Sequence, residues 1–261
     1  MSSLRRLICL ANSRKHGARC VAGIDPESGE WIRPVSRLDD GRLTRQMRLV
    51  EGREPRPLDV LRIPVAADGP GYGFEKENRS LLPGPWEADG RVSPEELLRW
   101  CNHGAQILGG AESYAILERM QSLPPGQRRS LELVETRSFS VYHTGRSAQG
   151  GHKWHGHFIT RGNARLDAHI TDPAMTERLE TGYRPPERCL LTISLSMPYR
   201  PDDWKEPTTP CWKLIAAVIE LEPPRGGEGA GARPGDRNVR AEPVKSRTKT
   251  GDCADLLDVL R

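Results

Sequence analysis

The stretch CLLTISLSM, residues 189–197, sets Cys189, Leu191, Ile193, Leu195 and Met197 on alternate positions, with mostly polar or smaller neighbours between them. A period of two places one set of side chains on one face of a strand. Its successor, WKLIAAVIEL at 212–221, is apolar on both faces. Following so clean a strand, it is expected to be a buried strand as well. Upstream, WHGHFIT and ARLDAHIT flank RGN as the two arms of a hairpin. In the second arm Leu166, Ala168 and Ile170 alternate with Arg165, Asp167 and His169. LELVETRSFSVYH, from residue 131, is a further strand, bent in the middle. Five strands at this spacing fit a small Greek-key barrel of the OB type.

The N-terminal part repeats the composition, though no internal sequence repeat is visible. LRRLICLA, RCVAGID, EWIRPVS and LDVLRIPVA are short strands, with Pro34 expected on an edge or bulge. They suffice for a second small barrel. Between the two halves, residues 67–92 hold five glycines and three prolines and are expected to be loop. Ser93-Pro94-Glu95-Glu96 opens a helix, with serine as N-cap and proline in the first turn. AESYAILERM supplies a second helix. The expected fold is mainly β with a small helical insert, two OB-like small β-barrels, α+β overall. Its divisions are an N-terminal barrel over 1–66 with room to recruit later strands, the insert over 67–130 and the C-terminal barrel over 131–222. A basic linker over 223–251 and a short helix over 252–261 follow.

Composition supports a chain with long irregular segments. Of 261 residues 36% are hydrophobic and 5% aromatic, with 26 glycines and 22 prolines. No apolar run approaches the ~20 residues of a membrane span. The N-terminus lacks the apolar stretch and small-residue cleavage site of a signal peptide. A cytoplasmic protein with no membrane partner is expected. The six cysteines form no CxxC pair, and they are expected to be structural thiols rather than a metal or redox set. Net charge is +4 and collects at the two ends: residues 1–64 hold thirteen Arg or Lys against eight acids, and 223–251 seven against three. Such asymmetry suits a polyanionic partner. The tail has too little apolar surface to fold alone.

Four groups of residues carry candidate chemistry. NSRKHGAR at 12–19 places Arg14, Lys15 and Arg19 between two apolar runs, one hairpin away from Trp31 and Arg33. Cations beside an aromatic ring hold phosphates and stack bases. HKWHGH at 152–157 offers three histidines, but His155 and His157 share a strand face and His152 is out of phase. No acid or thiol stands at ligand spacing, and an exposed hairpin arm accounts for the polarity, so neither metal nor cofactor is expected. Thr171-Asp172-Pro173 is turn and cap chemistry, with a catalytic acid as the competing reading. No P-loop, nucleophile elbow, dinucleotide fingerprint or HExxH motif is present.

CLANSRKHGARCVAG followed by EWIRPVS, then TRSFSVY, HFITRGNARLDAHITDP, LLTISL and CWKLIAAVI, resembles the ordered signature of the dual OB-containing domain family of prokaryotes. The resemblance spans roughly residues 4–221. It implies two OB-type barrels, nucleic-acid recognition, and a setting in prokaryotic conflict or defence systems. By position it covers Asn12, Ser13, Arg14, Lys15, Arg19, Trp31, Arg33 and Ser36, then Arg137, Phe139, Thr171, Asp172, Ser194 and Lys213. The expected function is a nucleic-acid-binding module, more readily non-enzymatic, acting as a sensor or adaptor. Its partners would be single-stranded DNA or RNA and an effector protein met through the C-terminal tail. The expected nucleic-acid contacts are Asn12, Ser13, Arg14, Lys15, Arg19, Trp31, Arg33, Ser36, Arg137 and Lys213, with Thr171 and Asp172 as a second site. Two alternatives remain: a nuclease or nucleotide hydrolase using Asp172 and nearby histidines, and a nucleotide or modified-base sensor.

Overall fold

The computed structural model describes residues 3–146 and 151–221. The expected basic linker and terminal helix lie outside the described residues. In the first half, β1 (Ser3–Lys15) pairs antiparallel with β2 (Ala18–Ile24) and β4 (Asp59–Val65). β3 (Trp31–Val35) lies antiparallel to β2, and β5 (Asn78–Ser80) runs parallel to β3. The sheet curls until its edges meet: Leu81 bridges Val65, and Leu82 N–H donates to the Pro64 carbonyl at 2.9 Å. A one-turn helix, α1 (Arg45–Arg48), sits between β3 and β4, and β6 (Glu87–Arg91) extends the sheet beyond β4.

The second half repeats this connectivity. β8 (Leu131–Arg146) pairs antiparallel with β9 (His152–Thr160) and β11 (Cys189–Leu195). β9 pairs with β10 (Arg165–Ile170), and β12 (Pro210–Glu220) closes the barrel by lying antiparallel to β11 and parallel to β10. A helix, α3 (Pro173–Glu180), occupies the same place between the third and fourth strands as α1 does in the first half. Both halves are thus OB-like barrels, as the strand spacing indicates. The bend expected in LELVETRSFSVYH is a bulge between Thr136 and Ser138.

Several local expectations change. NSRKHGAR is not a loop: β1 runs through Lys15 and only His16 and Gly17 turn, with φ of 43° and 71°. Positive φ at both positions marks a tight two-residue hairpin whose twist matches the strands, and glycine meets that demand without strain. The glycine- and proline-rich stretch 67–92 contributes two strands, β5 and β6. Ser93 does start a helical segment with a capping box, but Pro94–Trp100 is a 3-10 helix. AESYAILERM divides into β7 (Tyr114–Ile116), which pairs with β12, and α2 (Leu117–Ser122).

The two barrels share a seam, and it explains the strands that are apolar on both sides. Leu7 and Cys9 of β1 enter the first barrel's core with Val21, Ile32, Leu61 and Ile63. Ile8 and Leu10, on the opposite face, pack with Leu133, Leu190 and Ile219 of the second barrel. In β12, Ile215 and Val218 face the second core, while Ala216 and Ala217 meet Ala11 and Ala22 across the seam. Small side chains there let two sheets approach closely. Thr192 Oγ1 donates to the Leu10 carbonyl at 2.7 Å, satisfying a backbone acceptor inside the seam. Among the described residues five cysteines are free thiols, and no helix is long and apolar enough to cross a membrane.

Candidate nucleic-acid interface

OB-type barrels take oligonucleotides on the outer face of strands two and three and on the adjoining loops. In the first barrel that face is covered. Ala22 of β2 packs against Ala216, Ala217 and Leu131, and Ile24 against Leu133, Leu190 and Ile219. Trp31 of β3 touches both of these clusters and is half-buried in the seam. The ring expected to stack bases helps instead to join the barrels.

Most of the residues singled out in the sequence turn inward as well. Arg33 is only 4% exposed. Its guanidinium donates to Glu75 Oε1 at 2.9 Å, to Ser130 Oγ at 2.9 Å and to Ser194 Oγ at 3.4 Å, so it is a buried strut between the barrels. Ser13 and Ser36 are buried, and Ser36 Oγ donates to the Arg42 carbonyl at 2.5 Å. Asn12 Nδ2 donates to the Pro55 carbonyl at 2.9 Å. Lys213, 2% exposed, donates to the Gly110 carbonyl at 2.9 Å, and burial pushes its pKa down to about 8. Asp172 is buried as the N-cap of α3, accepting from Met175 N at 3.2 Å and Val218 N at 3.1 Å. Its carboxylate serves backbone amides, so the acid invoked for a hydrolase is engaged in capping. Thr171 is buried beside it, with Oγ1 donating to the Ile215 carbonyl at 3.3 Å.

Arg14 and Arg137 are exposed, and Lys15 and Arg19 half-buried. The two signature segments also meet. Arg14 N–H donates to the Thr171 carbonyl at 2.9 Å, and Arg14 Nη2 lies 3.3 Å from Thr176 Oγ1 on α3. The basic hairpin of the first barrel therefore rests on the second.

It rests beside an open face. Along β9, Trp154, Gly156, Phe158 and Thr160 are buried, while Lys153, His155, His157 and Ile159 alternate with them on the outside. Gly156 is required there, because a Cβ would stand 2.6 Å from the Phe139 and Ile215 side chains. Ser140 and Tyr142 of β8 and Arg165, Asp167 and His169 of β10 complete the outer face. Register brings Tyr142, His155 and His169 into one cross-strand row, and Ser140, His157 and Asp167 into the next. The Tyr142 ring, 42% exposed, stacks on His155 with centroids 5.4 Å apart and planes 26° apart. His155 meets His169 edge-on at 5.2 Å. Tyr142 Oη donates to both Asp167 oxygens, at 2.8 Å each.

Burial, reinforced by the charges of His155, Lys153 and Arg14, pushes the pKa of His169 down to about 3 and keeps it neutral. Lys153 alternates onto this same side of β9, and Arg14 is held to Thr171, two residues beyond His169. His155 and His157 share the face, as their spacing indicates. His152 lies apart, with Nδ1 2.7 Å from Glu180 Oε2. No cluster of three metal-ligating side chains occurs among the described residues.

Tyr142 and Asp167 were not among the residues singled out in the sequence. The alternation in ARLDAHIT puts Asp167 on a polar face, and SVYH carries Tyr142. Only the register of β8, β9 and β10 shows that they are neighbours.

The dual OB-containing domain model matches residues 5–218, which take in both barrels. No curated protein and no solved structure matches the chain. The chain belongs to the dual OB-containing domain family.

Proposed function

We propose that this member of the dual OB-containing domain family is a single-stranded nucleic-acid-binding module whose binding face is the outer surface of β8, β9 and β10. The observation that carries the reading is the asymmetry of the barrels. They share one connectivity, yet the strand-two and strand-three face is filled by the seam in the first and open in the second. The open face carries the stacked Tyr142–His155 pair, with Lys153, Arg165 and the Arg14–Lys15 hairpin around it. Stacking platforms of this kind contribute about 1–3 kcal/mol per base and tolerate every base, while cations track the backbone. One chain then takes one short strand, although it holds two barrels.

The wider role in this reading is recognition within a prokaryotic defence system, as a sensor or adaptor that passes the bound state to an effector protein. Family resemblance supports that role, and the basic segment 223–251 supplies charge for a polyanion or an acidic partner surface.

A salt-titrated binding assay with single- and double-stranded DNA and RNA tests the module. The expected result is one single strand bound per chain, weakened in Tyr142→Ala without loss of folding. Tighter binding to duplex, or two strands bound per chain, would overturn it.

A further inference from the structure

Asp167 places an anion in the middle of a face that we assign to a polyanion. The ion-pair partners seen on it are histidines. Its neighbours are the Tyr142 phenol on β8, His155 and His157 on β9, with Nδ1 atoms 3.4 Å and 3.7 Å away, and His169 two residues along β10. A single phenol hydrogen is shared between both oxygens, and the histidine contacts are too long for strong hydrogen bonds. An ionised carboxylate offers about four acceptor positions. With its side chain 42% exposed, Asp167 keeps acceptor capacity that these neighbours do not fill. Burial and the adjacent Asp167 raise the pKa of the Tyr142 phenol, so it stays a donor and holds the carboxylate in place.

We infer that Asp167 reads the Watson–Crick edge of a base stacked at Tyr142 and that it selects guanine, an inference that rests on the face proposed above. A carboxylate accepts and never donates, so it pairs with two adjacent N–H groups and opposes carbonyls and ring nitrogens. Guanine presents N1–H and N2–H side by side. Cytosine and adenine present one amine next to an acceptor, and thymine and uracil one N–H between two carbonyls. Repulsion from phosphate also keeps the nucleic-acid backbone away from this point, leaving it to base edges.

The test uses the full chain and short oligothymidylates carrying one central guanine, hypoxanthine, adenine or cytosine, with affinity read by fluorescence anisotropy at fixed salt. Guanine should bind on the order of tenfold tighter than thymine. Hypoxanthine, which lacks the N2 amine, should fall between them. Asp167→Asn keeps the shape and an acceptor for the phenol. It should erase the guanine preference while leaving affinity for plain oligothymidylate equal or higher. Tyr142→Phe, which retains the ring and leaves the carboxylate unheld, should keep guanine preferred but by a smaller factor. Equal binding of guanine and thymine by the wild-type chain overturns the assignment, as does an Asp167→Asn variant that shifts all oligonucleotides by one factor. If Tyr142→Ala weakens every oligonucleotide and no guanine preference exists, the face stands and the role of Asp167 falls. If the wild-type chain binds no single strand, or Tyr142→Ala has no effect, both fall.

Discussion

The backbone N–H of Arg14 donates to the carbonyl of Thr171 at 2.9 Å, tying the β1–β2 hairpin of the first barrel to the end of β10 in the second. This bond belongs to the main chain and survives substitution of the side chain. The guanidinium, with Nη2 3.3 Å from Thr176 Oγ1, remains exposed enough to meet phosphate.

Arg14→Ala and Lys15→Ala should therefore melt like the wild-type chain. Each should weaken binding to all single strands and flatten the dependence of log affinity on log salt by up to about one unit, the mark of one lost phosphate contact. Salt titrations of the two variants check this. Unchanged affinity and slope would remove the hairpin from the interface.

Trp31 and Tyr142 should separate stability from binding. Trp31→Ala opens a gap in the seam and should lower stability by about 2–4 kcal/mol, somewhat below the value for a fully buried tryptophan. Tyr142→Ala removes an exposed ring and should cost about 1–3 kcal/mol of binding with an unchanged salt slope. Denaturant unfolding and anisotropy on the same preparations measure both. The reverse pattern would place the stacking site in the first barrel.

Arg33→Met leaves Glu75 and the buried Glu77 without the guanidinium that pairs with both. Breaking a buried pair by removing one partner costs about 3–5 kcal/mol, because the remaining charge stays desolvated. Urea unfolding should show a midpoint well below that of the wild type. Affinity for single strands, measured where the variant is folded, should be unaltered. A variant as stable as the wild type would mean that the seam takes little from this network.

Acid should weaken the fold through His169. Its pKa falls from the ordinary 6.5 to about 3 on folding, first because of burial. Between those values the unfolded chain binds a proton that the folded chain refuses, so this contribution is intact above pH 6.5. It is lost progressively as pH falls towards 3, at up to about 1.4 kcal/mol per pH unit. His169→Gln removes the titration, and its stability relative to the wild type should rise as pH is lowered from 7 to 4. Parallel pH profiles of the two proteins would show that His169 is not buried and neutral.

What could be read from the chain was local and periodic. CLLTISLSM, ARLDAHIT and LDVLRIPVA announce their strands because the pleat repeats every two residues and one face must leave water. The order of strands at close spacing, with the family signature, was enough for two OB-like barrels. Ser93 and Asp172 were legible as caps because capping chemistry lies within a few residues. The helix that Asp172 caps, α3, went unread, because eight residues between strands have too weak a period to stand out.

The site was another matter. Arg33, Trp31 and Lys213 look like surface ligands in the sequence, since arginine and lysine are seldom buried and the chain does not say which polar group will meet a partner 97 or 161 positions away, as Arg33 meets Ser130 and Ser194. Barrel closure placed β10 beside β12 and brought Tyr142 to Asp167 across β9. Docking of the barrels then decided which of two equivalent faces remained open. The sequence by itself determined most of the barrel strands, in their order along the chain, and the apolar character of β12 on both sides. Only the tertiary structure decided that this second apolar side is a seam, because a strand's pattern states how much of it leaves water and not what covers it.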